Sequence, residues 1–352
     1  MRSELTLCPA PVREPESDSR AADSDTCTLK KVDFDYDDLD RQLVHALQID
    51  PRASFSAIAE ALGVSDRTVA RRYARLRSAG AVRVIGGVNE TPSGAVRWFL
   101  RIRCAPAAAG AVAEALARRP DTAWVSLTSG GTEITCTVRI ENEADSEALL
   151  LAKLPRTPRV EGVTAHSVLH EFYGGSDSLV AKLGVLDEAT VTQLRPPPLP
   201  RRPGRATLDE GDRKLLAALA ADGRAGFEQL AAATGWSPTT VRRRMAELRE
   251  RDVLYFDLDL DWRLHGRGIR TLLWLSVAPA ALEETGAALA AHPEVAYAAA
   301  TTGPTNLYAT AVCASQHELY RYLTTSVAAL PAVTHVETAP VIKTVKQAAN
   351  RL

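Results

Sequence analysis

The feature that most constrains this chain is that it is written twice. At an offset of 172 without a gap, DRQLVHALQIDPRASFSAIAEALGVSDRTVARRYARLRSAGAV (40–82) aligns with DRKLLAALAADGRAGFEQLAAATGWSPTTVRRRMAELRERDVL (212–254), with 20 identities in 43 positions. The register then slips by one, so that Pro106 faces Pro279, Gly130 faces Gly303 and Val160 faces Val333. The 352 residues are therefore two copies of one two-part unit, enough chain for several domains with cores of their own.

The breaks between units are legible in composition. Residues 1–35 mix Pro, Ser and Asp without apolar periodicity, which predicts a disordered tail. Across 13–40 there are ten acids against four bases, a solvated stretch or a competitor for the protein's own basic surface. Residues 173–207 form a Pro-rich linker, within which RPPPLPRRPGRAT (195–207) predicts a stiff, extended spacer because each proline lacks a donor and fixes φ.

The first part of each copy predicts three short helices. Leu39, Leu43 and Leu47 space the first; Phe55, Ile58, Ala59 and Leu62 space the second; Gly63 stops it and Ser65 caps a third. In the second copy Gly235, Ser237 and Pro238 supply the same stop, cap and N1 residue. Helix, short glycine-containing turn, helix is the layout of a helix-turn-helix. On the third helix Val69, Tyr73 and Leu76 make a buried stripe, and Arg67, Arg71 and Arg75 face the other way with Thr68 beside them and Arg72 on the flank. In the second copy Val241, Met245 and Leu248 form the stripe; Thr239, Arg243 and Glu247 lie opposite, with Thr240 and flanking Arg244.

A guanidinium fork grips phosphate or guanine, so these faces suit a DNA major groove. The alternative is a solvated arginine-rich surface, since the chain holds 35 Arg and only 7 Lys, a bias that GC-rich coding also produces. A formal net charge of −1 excludes a wholesale polycation, so nucleic-acid binding has to come from such local clusters.

The second part of each copy predicts strand, helix, strand, hairpin, strand, helix, strand: 96–104, 106–119, 122–128, 132–140, 143–154 and 160–172 in the first copy. That is the ferredoxin-like βαββαβ unit, whose helices cover one sheet face and leave the other needing a partner sheet. Residues 91–172 are therefore expected to pack on 263–347. The fold class is α+β, with two winged helix-turn-helix domains (36–90 and 208–262) and two ferredoxin-like sensing domains in tandem.

The combination LDxxLLxxLxxDgRxxfxxLAxxxGxSxxTVxRRxxxL, a connecting strand VRVIGGVN (82–89) and a ferredoxin-like domain resembles the Lrp/AsnC family of feast/famine transcriptional regulators. The resemblance covers roughly 36–172 and 208–347 and implies DNA-binding heads, homo-oligomers built through sensing-domain sheets, and small effectors such as amino acids at interfaces between sensing domains. The family's turn after the second strand runs as Gly, two residues, then Asp; here SGGTEIT (129–135) and TGPTNLY (302–308) place Glu133 and Asn306 at the Asp position.

That turn is also the best effector candidate on its own residues. Backbone donors at Gly130, Gly131 and Gly303, beside Thr128, Thr132, Thr302 and Thr305, suit a carboxylate, and Glu133 suits an ammonium; a plain hairpin using glycine for positive φ is the simpler alternative. The DNA-contact set is Ser65, Arg67, Thr68, Arg71, Arg72, Arg75, Ser237, Thr239, Thr240, Arg243, Arg244 and Glu247.

Five scattered cysteines without a CxxC pair, and no histidine at ligand spacing, predict neither disulfide framework nor metal site; no cofactor and no catalytic residue is expected. A cytoplasmic protein without signal peptide or membrane span is expected. Two alternatives stand beside the regulator. Siroheme decarboxylases resemble the same family, but their histidine-containing middle strands are not matched by WVSLTSGGTEITCTV or VAYAAATTGPTNLYATAV. A partner subunit that binds no DNA itself is the other.

Overall fold

A computed structural model describes residues 36–348 except 141–153, 155, 176–177, 203 and 205. The predicted tail (1–35) and almost all of the predicted helix 143–154 lie outside the described residues.

Three helices open the first copy: α1 (Asp38–Ile49), α2 (Phe55–Leu62) and α3 (Asp66–Ser78). Their ends follow the expected chemistry. The Asp37 carboxylate accepts from the Asp40 amide in a reciprocal capping box, Gly63 closes α2 at φ 65°, and the Ser65 hydroxyl accepts from the Thr68 amide. Strand β1 (Val82–Val88) follows, then β2 (Val96–Cys104), α4 (Pro106–Ala117), β3 (Thr122–Thr128), β4 (Glu133–Ile140) and β5 (Val160–Tyr173).

The segment 173–207 is more structured than a linker. It holds a single helical turn (Leu179–Lys182) and α5 (Glu188–Leu194), because Leu179, Val180, Leu186 and Leu194 are apolar enough to be buried, the last three in the helix-turn-helix core. The proline run after α5 has no regular structure, as its missing donors require.

The second copy repeats the order: α6 (Glu210–Ala221), α7 (Phe227–Thr234), α8 (Pro238–Glu250), β6 (Leu254–Leu260), β7 (Ile269–Val277), α9 (Leu282–Ala291), β8 (Val295–Thr301), β9 (Leu307–Cys313), α10 (Gln316–Tyr322) and β10 (Val333–Thr344). After Tyr322, α10 passes into a π turn, Leu323–Val327. Among the described residues no helix is long and apolar enough to cross a membrane.

The two copies are joined twice. Strands β1 and β6 pair antiparallel with each other, Val82 opposite Leu260 and Val88 opposite Leu254, so both helix-turn-helix units share one core. The two four-stranded sheets close edge to edge into a barrel in the order β10-β3-β4-β2-β5-β8-β9-β7. The junctions are equivalent under the repeat: Val168, His170 and Glu171 face Thr301, Ala300 and Ala299, while Val341, Lys343 and Thr344 face Thr128, Leu127 and Ser126. The partner sheet that each bare face needs is thus supplied by the other copy of the same chain, across Phe99, Leu272, Trp274, Ala299, Tyr308 and Ala339.

Close approach between β1 and β6 depends on Gly87, where a Cβ would sit 2.2 Å from the Tyr255 ring. Gly87→Ala is therefore expected to push that ring off its site and cost about 1–3 kcal/mol, read as a lowered midpoint in urea denaturation.

Candidate functional site: paired helix-turn-helix units over a barrel cavity

The two helix-turn-helix units are held by a reciprocal clamp. The Arg52 guanidinium donates to the Gly223 and Ala225 carbonyls, and Arg224 donates to those of Pro51 and Ala53 at 2.8 Å each. Arg52 also lies over the Phe227 and Phe256 rings, and Arg224 over Phe55 and Tyr73. Burial pulls both guanidinium pKa values down, so the clamp rests on carbonyls and ring faces.

The structure divides the predicted DNA-contact residues by what already holds them. Ser65 and Ser237 cap their helices and pair with the Thr68 and Thr240 hydroxyls at 2.9 Å. Arg67 and Arg71 are exposed on α3, and Thr239 on α8. Among the described residues Arg67 and Arg71 make no ion pair. Arg72 turns back to Asp37 (2.7 Å) and Asp40 (2.8 Å), and Arg75, expected to face the groove, also ends on Asp40.

In the second unit Arg244 is bidentate to fully buried Asp212, and Glu247 accepts from both Arg243 (2.6 Å) and Arg244 (2.8 Å). The Arg244 hydrogen bond, joined by that of Arg243, holds the Glu247 carboxyl below its usual range. Sequence spacing placed these side chains on a face; it did not reveal the buried N3 aspartates that draw part of that face inward.

The two predicted effector turns use most of their polar side chains internally. Glu133 is 5% exposed and accepts from Arg101 Nε at 2.7 Å, with the Thr128 and Ser129 hydroxyls at 3.3 Å. Arg101 continues to Glu337 on β10. The Thr132 hydroxyl donates to the Ser129 carbonyl. Gly130 and Gly131 have φ of 74° and 86° with open space where a Cβ would lie.

In the second turn Asn306 bridges the amide and carbonyl of Val277, and the Thr302 hydroxyl accepts from the Ser167 amide across the sheet junction. The Thr305 carbonyl accepts from the Thr301 hydroxyl. At Gly303 a Cβ would come within 2.6 Å of His166 Nδ1.

Sequence reasoning missed a cavity of about 460 Å³ between the two sheets, reaching up to β1, β6 and α6. Its polar lining includes Arg97, Arg139 and Arg270, together with Asp257. The available clue was strand alternation: Trp98, Leu100 and Ile102 point under the helices, which turns Arg97, Phe99 and Arg101 towards the opposite sheet. Burial pushes the Asp257 carboxyl up to about 7, opposed by the Leu258 amide and Gln48 and reinforced by Asp259 and Glu171.

The architecture is therefore that of two helix-turn-helix units over two sensing sheets in one chain. The AsnC-type helix-turn-helix domain matches at residues 37–77 and 208–249, and the Lrp/AsnC ligand binding domain at 271–350. Over these stretches the chain carries the domains of the Lrp/AsnC family, with the helix-turn-helix duplicated.

It is 28% identical over 144 residues to the HTH-type transcriptional regulator FL11 of Pyrococcus horikoshii, 41% of this chain but 95% of that one. A second regulator of that organism, PH0140, described as uncharacterized, is 28% identical over 142 residues, covering 40% and 88%. Each spans about one copy of the repeat. Among solved structures, the siroheme decarboxylase NirDL superposes with a TM-score of 0.60 at 15% identity, covering 90% of this chain and 94% of that one. At that identity the likeness is one of fold.

Two measurements separate structural from contact arginines. Arg244→Ala strands the buried Asp212 carboxylate and should cost stability near the low end of the ~3–5 kcal/mol typical of a broken buried pair, because Arg244 keeps partial solvent access. Arg71→Ala should stay within about 0.5 kcal/mol of the parent. Both are read by denaturant titration.

The second test is pH. A carboxyl whose folded pKa is raised binds its proton more tightly in the folded state, so stability falls as pH rises from the ordinary Asp value through about 7 and levels off above. Asp257→Asn should flatten that part of the stability–pH curve.

Proposed function

We propose that the chain is a cytoplasmic, sequence-specific DNA-binding transcriptional regulator of Lrp/AsnC type, responsive to a small metabolite and without catalytic activity. The observation that carries this reading is the pair of helix-turn-helix units fixed to each other by β1–β6 and the Arg52/Arg224 clamp, with Arg67 and Arg71 exposed and without an ion pair among the described residues on α3. A fixed pair suits two half-sites of one operator. The curated relatives, described as HTH-type transcriptional regulators, support it.

The two heads are unequal. Glu247 stands where the first head has Arg75 and engages Arg243, the counterpart of Arg71. The first head therefore offers phosphate the stronger field, and the second tunes sequence choice. An imperfect palindrome follows.

The likeness of fold to a siroheme decarboxylase over 90% of the chain, together with the barrel cavity, supports a second reading as an enzyme of that fold. An absorbance scan of purified protein, followed by incubation with siroheme, distinguishes the two.

Genomic footprinting supplies the operator. Arg71→Ala is then expected to reduce base discrimination at one half-site by ~1–3 kcal/mol, with a smaller loss for Arg243→Ala and a gain in affinity for Glu247→Gln. If Arg67, Arg71 and Arg243 can all be replaced by Ala without changing affinity at fixed salt, the helix-turn-helix units are not the DNA readers.

A further inference from the structure

The repeat supplies an internal control for one half-buried arginine. At the offset of 173 that relates the sensing domains, Arg97 on β2 corresponds to Arg270 on β7, Glu171 on β5 to Thr344 on β10, and Tyr297 on β8 to Trp124 on β3. The sheet junctions keep this correspondence: Glu171 stands opposite Ala299, and Thr344 opposite Ser126, the counterpart of Ala299.

Arg97 is neutralised, with Nη1 2.7 Å from Glu171 Oε2 and 3.3 Å from the Tyr297 hydroxyl. Among the described residues, Arg270 meets hydroxyls rather than a carboxylate at the equivalent place. Its Nη2 donates to Ser126 Oγ at 2.6 Å and Thr344 Oγ1 at 2.9 Å, its Nε has no partner, and among the described residues it makes no ion pair. A guanidinium partly withdrawn from water without a counter-anion is costly, and burial pulls its pKa down.

The space beside Arg270 is the cavity, whose lining includes the aromatic rings of Trp124, Trp274 and Tyr308. Trp274, 1% exposed, lines it and leaves its indole N–H without a partner. The Trp124 ring lies 5.9 Å from the Arg270 guanidinium, held at φ 53° where β3 bulges between Ala123 and Ser126. A tryptophan in the left-handed region is strained backbone, the kind that persists where the surroundings fix a site. The volume of about 460 Å³ falls within the range of small-molecule pockets.

We propose that this barrel cavity binds a small aromatic carboxylate, its carboxylate on Arg270 in the position Glu171 takes on Arg97 and its ring in the cavity beside Trp124. The site is distinct from the two glycine turns and does not depend on whether the chain binds DNA.

The test compares 2-naphthoate with neutral, isosteric 2-naphthamide, by calorimetry and thermal shift on the full chain. The carboxylate is expected to bind at least tenfold more tightly. Thr344→Glu, which restores the acid found in the other copy, should raise the melting temperature of the ligand-free protein and abolish naphthoate binding. Equal binding of acid and amide, binding of neither at millimolar concentration, or unchanged naphthoate binding by a folded Thr344→Glu protein would each overturn the proposal. Should Thr344→Glu fail to fold, the comparison of acid and amide on the parent protein decides.

Discussion

The closure of two four-stranded sheets into one barrel is the constraint on which the rest of the molecule depends. A ferredoxin-like sheet with helices on one side leaves an uncovered face and two open edges, and each is costly in water for a different reason: apolar exposure for the face, unpaired amides and carbonyls for the edges. The repeat solves both at once. Strands β5 and β10 run past their own sheets and pair with β8 and β3 of the other copy, while Phe99, Leu272, Trp274 and Tyr308 meet between the faces, with Phe99 and Tyr308 rings 4.2 Å apart. One copy alone has neither partner.

That closure also fixes the heads. Strands β1 and β6 each precede a sensing domain, so joining the sheets brings these strands within pairing distance, and the Arg52/Arg224 clamp then sets the two helix-turn-helix units against each other through four backbone carbonyls. The spacing between α3 and α8 is a property of a single covalent chain. Buried Asp40 and Asp212 consume Arg72, Arg75 and Arg244 in holding α1 to α3 and α6 to α8, so part of the arginine excess on the third helices serves the fold.

Much of this was legible in the sequence, because the elements announce themselves locally. Periodicity and the caps at Ser65, Gly63, Ser237 and Gly235 locate the helices to within a residue or two, and the short apolar runs in VRWFLRIRC and RTLLWLSVA mark the central strands. The need for a partner sheet follows from counting faces. What spacing cannot show is where a long side chain ends. Arg75 lies on the outer arc of a helical wheel, yet its guanidinium reaches back to Asp40, and Glu133 looks free until Arg101 arrives from the neighbouring strand. The apolar content of 179–194 hid behind the proline run that follows it. The cavity arginines went unread because alternation assigns Arg97 and Arg101 to the face away from the helices but does not show which partners or open space that face meets once the other sheet covers it.

Fusion changes what substitution can do to such an assembly. In a symmetric homodimer each replacement occurs twice, so an arginine that loses its acid partner loses it at both equivalent positions, and two desolvated cations then share one barrel. Here the change occurs once. Arg97 retains Glu171 while Arg270 faces Thr344, and the first head keeps Arg75 on Asp40 while the second has Glu247 between Arg243 and Arg244. In both places the two copies differ, and the barrel closure, whose register is the same at both junctions, accommodates the difference. A covalent pseudo-dimer can thus specialise one cavity wall and one recognition helix while the fold is held by everything the two copies still share.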